Sequence, residues 1–251
     1  METRLGKRKP KLDKRTLPFK CALKGLPPIP ETFDLETDKK FPTPLYANDL
    51  YGDCVIAGRA HHTLRFEHTE QDKILNISDE EVLNQYWKEG KKFCFDKKPD
   101  RGLVMLDSLK HWRKDGWTAA GQEYNIYAFA KINQFDPYEV RAAIYLLNGI
   151  NVGLALPNSA RNQDIWSVVS SDNVPGSWGG HCVYCPPVWG KDSFQLKPLI
   201  LCVTWGGLKL MTFEFFTRYT DEAYAVLDDK NKWQVDSRID VYLLESYLNS
   251  L

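Results

Sequence analysis

The sequence lacks the features that mark several specialised classes of protein. No apolar run approaches the roughly 18 residues of a membrane-spanning helix, and the basic N-terminus has no apolar centre of the kind that a secretory signal carries. Lysine plus arginine and aspartate plus glutamate each number 33, so the formal net charge is zero. This balance gives no reason to expect a protein that binds nucleic acid or a membrane surface. We expect a cytoplasmic globular protein whose six cysteines are free thiols.

The first residues of the chain differ from the rest in charge and in backbone preference. Seven of the first 15 residues are basic, and Pro27, Pro28 and Pro30 keep the following segment extended. We expect residues 1–28 to form an extended, solvated arm that could contact a partner protein.

Helical patterns dominate the first half of the chain, and strand patterns follow. Ser78 and Glu81 form a capping box for a helix that Gly90 should end. Strands are predicted at 150–156, 181–185, 194–205 and 224–227, with a short helix at 211–219 and a closing helix at about 236–250. This order favours an α+β fold of two lobes, one helical at about 45–120 and one sheet-based at about 121–227.

A lone cysteine, Cys54, begins the first helical pattern, directly after the turn-rich segment "YANDLYGD". Unpaired backbone N–H groups and the helix dipole favour negative charge at that position. Both effects lower the pKa of a thiol, and the thiolate is the nucleophilic form. Cys54 is therefore a candidate nucleophile, and it needs a histidine to hold and return its proton.

His181 is the best-placed of the five histidines to serve Cys54. His61 and His62 lie on the same predicted helix, about 10–12 Å along its axis from the cysteine, so they cannot pair with it. His181 opens a predicted strand after two glycines, where another group can approach the backbone closely. We expect Cys54 and His181 to meet across a groove as an ion pair. The alternative is a buried free cysteine and an unrelated histidine.

A C-x-x-C pattern at Cys182 and Cys185 could suggest zinc. There is no second pair, and alternation along a strand places the two sulfurs on opposite faces. We expect no metal and no cofactor.

The order of these motifs resembles the papain-like cysteine peptidases over about residues 29–227. The matching segments are "IPETFDL" (29–35), "FPTPLYANDLYGDC" (41–54), "ISDEEVLNQY" (77–86), "RGLVMLDSLKHWRKDGW" (101–117), "DPYEVRAAIYLLNGINVGLAL" (136–156), "GGHCVYC" (179–185) and "VTWGG" (203–207). The resemblance implies a papain-like domain at 29–251, with a helical N-terminal lobe and a C-terminal twisted antiparallel sheet.

The resemblance also implies roles for individual residues. Cys54 takes the place of the nucleophile, His181 that of the base, and Asn48 that of the glutamine whose amide binds the oxyanion. Losing one oxyanion donor typically costs about 3–4 kcal/mol in the transition state. Three departures are visible. The family's Cys-Gly-Ser-Cys-Trp cluster is Tyr51-Gly52-Asp53-Cys54-Val55 here, which removes a disulfide cysteine and the aromatic residue after the nucleophile. Asp53 places a like charge beside a thiolate, and Val203 replaces the asparagine that orients the histidine. Asn48 is also one methylene shorter than the family's glutamine, so its loop must lie closer to make the same contact.

Two classes of function are consistent with this resemblance. The first is a thiol-dependent hydrolase of amide or peptide bonds, or an acyl transferase, acting through a thioester on Cys54. The second is a catalytically silent module that binds or assembles, since the orienting asparagine is replaced and only the neighbouring Thr204 is polar. The substrate class would be a peptide, amide or other acyl compound.

Overall fold

The computed structural model describes residues 3–36, 41–93, 100–171, 173–191, 197–228 and 238–249. The helices are α1 (Cys54–Gln71), α2 (Asp79–Phe93), α3 (Met105–Asp115), α4 (Pro137–Leu146), α5 (Phe213–Tyr219) and α6 (Val241–Leu248). The strands are β1 (Phe33–Asp34), β2 (Trp117–Ala119), β3 (Gln122–Tyr124), β4 (Ile126–Lys131), β5 (Ile150–Leu156), β6 (Ile165–Trp166), β7 (Gly179–Cys185), β8 (Val188–Lys191), β9 (Pro198–Thr204), β10 (Gly207–Thr212) and β11 (Thr220–Asp228). None of the helices in these ranges is long and apolar enough to cross a membrane.

One large sheet forms the C-terminal lobe. Its main path runs β1-β8-β9-β7-β5-β11-β4, with every neighbouring pair antiparallel, and β10 continues from β9 to a parallel pairing with β6. A separate antiparallel pair, β2 and β3, lies beside the helices. Helices α1, α2 and α3 precede every strand of this sheet except β1, as the sequence pattern predicted, whereas α4, α5 and α6 lie among or after the strands.

Helix α1 is the central element of the molecule. Every residue from Cys54 to Glu67 is buried, because the helix packs against β7 and β5 on one side and α2 and α3 on the other. Such a helix carries no amphipathic stripe, since all of its faces contact protein. Its first residue is thereby fixed against the strand that carries His181.

Several predicted boundaries are confirmed and others move. The capping box is present: the Ser78 hydroxyl accepts from the Glu81 N–H, and the Glu81 carboxylate accepts from the Ser78 N–H at 2.8 Å. Strand β5 and helix α5 lie where the sequence predicted them. Helix α2 does not end at Gly90, because its backbone continues to residue 93. Helix α6 is shorter than predicted, and part of the expected range lies outside the described residues.

The N-terminal arm is not solvated along its length, which corrects the expectation from its charge. Lys7, Leu17, Phe19 and Ala22 are all buried against the domain. The segment from residue 9 to 15 is more exposed but still contacts the helical lobe, where Lys110 donates to Asp13 at 2.7 Å. A contact between the arm and a partner protein stays a prediction.

Candidate active site

The sulfur of Cys54 lies at the start of α1, directly against β7. The backbone N–H of Cys182 donates to Cys54 Sγ at 3.4 Å, and the N–H of Gly6 also donates to this sulfur. Because Cys182 follows His181 in β7, this contact places the helix start and the strand start at one point. The sulfur is fully buried.

His181 is held by a hydroxyl from the neighbouring strand. Its Nε2 lies 2.7 Å from Thr204 Oγ1 at the end of β9, so the tautomer protonated on Nε2 donates to Thr204 and leaves Nδ1 as an acceptor. Adjacent side chains of a strand point to opposite faces, which is why Thr204 rather than Val203 reaches the imidazole. Thr204 thus makes a hydrogen bond with the imidazole beside Val203, where the sequence offered no asparagine.

A tryptophan covers the imidazole. The ring of Trp205 stacks on His181 with centroids 4.2 Å apart and planes at 13°. The ring of Trp178 packs beside that of Trp205, with the two ring centroids 5.5 Å apart. The stack excludes water from the hydrogen bond between His181 and Thr204, and this strengthens the bond.

Burial, and not the helix dipole, dominates the protonation of the pair. Burial raises the pKa of the Cys54 thiol to about 11, while the N–H group of Cys182 opposes the change and the neighbouring Asp53 adds to it. Burial also lowers the pKa of His181 to about 3. Both groups are therefore neutral near pH 7. Nδ1 of His181 is buried and makes no hydrogen bond with any described residue. The ion pair expected from the sequence is absent from this closed arrangement.

The side-chain amide of Asn48 is engaged by residues of its own loop in this structure. Its Nδ2 donates to Asp53 Oδ1 at 2.7 Å and lies 3.5 Å from the carbonyl of Tyr51. The short side chain reaches the carboxyl group of Asp53, and that contact engages the amide. An oxyanion role for Asn48 stays a prediction that requires Asp53 to release it.

Asp53, directly before Cys54, has a perturbed acidity of its own. Burial raises its pKa to about 7, and the hydrogen bond from Asn48 opposes that shift. Its Oδ2 is buried and unpaired among the described residues. The sequence marked Asp53 only as a like charge beside the thiolate, and its burial could not be read from its neighbours.

Residues 4–8, which we call the cleft segment, run across the site between the two lobes. The N–H of Lys7 donates to the carbonyl of Gly180 at 3.0 Å on the sheet side. On the helical side, Leu103 donates to Gly6 at 2.9 Å and accepts from Arg8 at 2.8 Å. The cleft segment therefore pairs with both walls of the cleft in the way an extended peptide would.

The cleft segment also contacts residues around the site at its first residue, Arg4, and at Gly6. The indole Nε1 of Trp205 donates to the carbonyl of Arg4 at 3.3 Å, and the Arg4 guanidinium lies 2.8 Å from Asp100. Gly6 lies so close to the loop before Cys54 that a Cβ there would lie 1.9 Å from the Gly52 carbonyl oxygen. Sequence reasoning missed this segment, although a glycine among basic residues was the one local sign of a close approach.

The residues that the structure describes contain no cluster of His, Cys, Asp and Glu suited to a metal ion. Cys182 and Cys185 are both buried in β7. Neither observation provides a ligand set for zinc.

Comparisons with solved structures show a papain-like fold. Xylellain, a cysteine protease from Xylella fastidiosa, superposes with a TM-score of 0.69 at 16% identity, over 90% of this chain and 96% of that chain. A procathepsin B from Trypanosoma congolense gives 0.62 at 14% identity, over 90% and 87%. The cysteine protease and lectin-like domains of Cwp84 from Clostridium difficile give 0.61 at 12% identity, over 85% and 56%. No family model and no curated protein matches the sequence. These likenesses confirm the fold that the sequence resemblance implied.

Proposed function

We propose that this protein is a thiol-dependent hydrolase of peptide or other amide bonds, and that its resting form is closed by its own cleft segment. The observation that carries the proposal is the contact at 3.4 Å between the buried sulfur of Cys54, at the start of α1, and the backbone N–H of Cys182, the residue directly after His181. The hydroxyl of Thr204 holds the imidazole of His181 at 2.7 Å. A nucleophile, a base and an orienting group are the three parts that such chemistry requires.

The reaction uses the thiol of Cys54 and Nδ1 of His181. The sulfur attacks the substrate carbonyl carbon as its proton passes to Nδ1, and the backbone N–H of Cys54, which has no partner within the helix, binds the oxyanion. The carbon–nitrogen bond then breaks as the imidazolium returns that proton to the amine. Water attacks the resulting thioester, which releases a carboxylic acid and restores the thiol.

An acyl transferase would use the same thioester. Attack by an amine or a carbon nucleophile in place of water would give a ligase or a cyclase. The choice depends on which nucleophile reaches the cleft once the cleft segment has left it.

The closed arrangement also favours a second candidate, a catalytically silent binding or assembly module. In such a module the neutral thiol and imidazole would be permanent, and the cleft would hold a peptide without reacting with it. The engagement of Asn48 by Asp53, at 2.7 Å, is the observation that favours this alternative.

Alkylation of Cys54 by iodoacetamide separates the two candidates. Gly6→Ala displaces the cleft segment, because the new Cβ would overlap the Gly52 backbone, whereas Gly190→Ala is a matched control whose Cβ meets no atom within 4 Å. In Gly6→Ala we expect Cys54 to react faster than Cys21, an exposed thiol that serves as the internal standard. Peptide mass spectrometry resolves the two sites.

The expected gain can be estimated from the thiol pKa. A fall from about 11 to the ordinary 9.0 raises the thiolate fraction about 100-fold, and the lower intrinsic nucleophilicity removes about tenfold of that gain. The net increase over Gly190→Ala is then about tenfold, before the gain in access is counted. This change alone gives Cys54 the reactivity of an ordinary thiol, and removal of the thiol proton by His181 supplies the excess over Cys21. Adding His181→Ala should abolish the excess over Cys21, and adding His68→Ala should not.

One result would count against a hydrolase. In that result, Cys54 of the Gly6→Ala protein reacts no faster than Cys21, even though trypsin cleavage after Lys7 shows that the cleft segment has been displaced. That result would favour the silent module.

The cytoplasmic location is a separate proposal that rests on the sequence, and cell fractionation tests it.

A further inference from the structure

The side chain of Lys7 enters a pocket in the sheet lobe and is 1% exposed there. Its Nζ lies 2.9 Å from each carboxylate oxygen of Asp221 and 3.3 Å from Glu222 Oε1, at the start of β11. It also donates to the carbonyl of Arg8 at 3.0 Å. A buried ammonium is tolerated only where it is paired and hydrogen-bonded, and this pocket supplies both conditions.

The shape of the pocket fits an unbranched side chain. A Cβ at Gly153 would lie 2.6 Å from Cε and 2.7 Å from Cδ of Lys7, so only glycine leaves room for the stem. Gly153 belongs to β5, which pairs with both β7 and β11. The wall and the acidic floor of the pocket are therefore parts of the sheet itself, and they remain when the cleft segment leaves.

The pocket is electrostatically incomplete without a cation. Burial raises the pKa of Glu222, and the charge of Lys7 is the largest influence that opposes this change. The same two causes act in the same order on the pKa of Asp221. Two neighbouring carboxylates that lose their counter-charge repel each other, so an incoming basic side chain would be stabilised there.

The position of the pocket relates it to the reaction. Lys7 is the residue whose N–H pairs with Gly180, directly before His181. A substrate chain that pairs with the same carbonyl would place one of its side chains at the mouth of this pocket. From this geometry we infer that the Asp221–Glu222 pocket is a specificity pocket, and that the enzyme selects peptides carrying a lysine, or another unbranched basic side chain, at that residue. This inference rests on the proposed function.

Binding of the cleft segment in trans tests the pocket independently of chemistry. A fluorescein-labelled peptide of residues 3–11 would be titrated against the full chain carrying Gly6→Ala, with anisotropy as the readout. We expect the peptide with lysine at position 7 to bind at least tenfold more tightly than the same peptide with norleucine there. Norleucine at position 9 should have little effect, because Lys9 is exposed.

The acidic floor is tested by substitution in the protein. Glu222→Gln in the same Gly6→Ala background should reduce the preference for lysine over norleucine by several-fold. Glu214→Gln, at an exposed position of α5, is the control and should leave that preference unchanged. Equal binding of the two peptides to the Gly6→Ala protein would overturn the inference.

Turnover distinguishes the failure of this inference from the failure of the proposed function. Fluorogenic peptide amides that carry lysine or norleucine at each of the three residues before the scissile bond would be assayed with Gly6→Ala. A preference for lysine of at least tenfold in kcat/KM at one position supports the inference. Cleavage of both series at equal rates overturns the specificity and leaves the hydrolase intact. Lysine-selective binding without any cleavage would refute the proposed hydrolase function and would support a pocket that recognises basic peptides.

Discussion

Replacing the buried acid Asp53 with asparagine should stabilise the protein above neutral pH. Asp53 is 0% exposed, and one of its oxygens has no partner among the described residues. Asn48 donates to the other oxygen at 2.7 Å, and the carboxamide oxygen of Asp53→Asn can accept the same hydrogen bond. The substitution therefore removes the charge and keeps the contact.

The size of the effect follows from the pKa of Asp53, which burial raises from 3.8 to about 7. Between these values the folded protein binds a proton that the unfolded chain has released, so the free energy of unfolding falls as pH rises. Each pH unit is worth about 1.4 kcal/mol, which gives at most about 4 kcal/mol of lost stability by pH 8. Below pH 3.8 the acid is protonated in both states and contributes no such loss.

Urea unfolding at pH 4 and pH 8 measures this difference. We expect Asp53→Asn and the parent protein to have similar unfolding free energies at pH 4, and the variant to be more stable by up to about 4 kcal/mol at pH 8. For a chain of this length, that gain corresponds to a melting temperature about 10 °C higher. Asp164→Asn, at an exposed position, is the matched control. A variant that is less stable than the parent at pH 8 would refute the assignment of a buried charge to Asp53.

Two further predictions concern the orienting group and the core. Thr204→Val in the Gly6→Ala protein should slow alkylation of Cys54 about tenfold, because a buried imidazole N–H loses its acceptor, and Thr204→Ser should restore the rate. Arg59 and Glu89 form an ion pair in the interior, with Nη2 of the arginine 2.6 Å from Oε1 of the glutamate. Glu89→Ala should lower the free energy of unfolding by about 3–5 kcal/mol, since it leaves the charge of Arg59 without its counter-charge. Urea midpoints measure that loss, and Glu31→Ala, which breaks the exposed pair with Lys191, should change stability by less than about 1 kcal/mol.

The elements whose signals are local could be predicted from the sequence. Strand β5 is a mainly apolar run that is buried except at Ala155, and the capping box at Ser78 is a contact between residues three apart, so neighbouring residues contain the necessary information. The approach of Cys54 to β7 also followed, but only because the order of motifs resembled a known fold. The spacing of the residues alone left a buried free cysteine and an unrelated histidine as the alternative.

The features that escaped prediction depend on contacts between distant parts of the chain. Lys7 reads as one more charge in a basic tail, and its partners Asp221 and Glu222 lie more than 200 residues away. Likewise, the turn of the Asn48 amide toward Asp53 depends on how deeply the loop is buried. Neither arrangement leaves a periodic signal, because each involves single side chains meeting across the fold.

The unexpected protonation of Cys54 follows from the size of two competing effects. A helix N-terminus stabilises an adjacent negative charge by about 0.3–2 kcal/mol. Raising the thiol pKa from 9.0 to about 11 corresponds to about 3 kcal/mol in the opposite direction. Because the cleft segment contributes to that burial through Gly6, its departure would weaken the larger effect and leave the dipole in place. The acidity of the nucleophile therefore depends on whether the cleft is open to water, and a peptide that displaces the segment without sealing the site would activate the thiol that it meets.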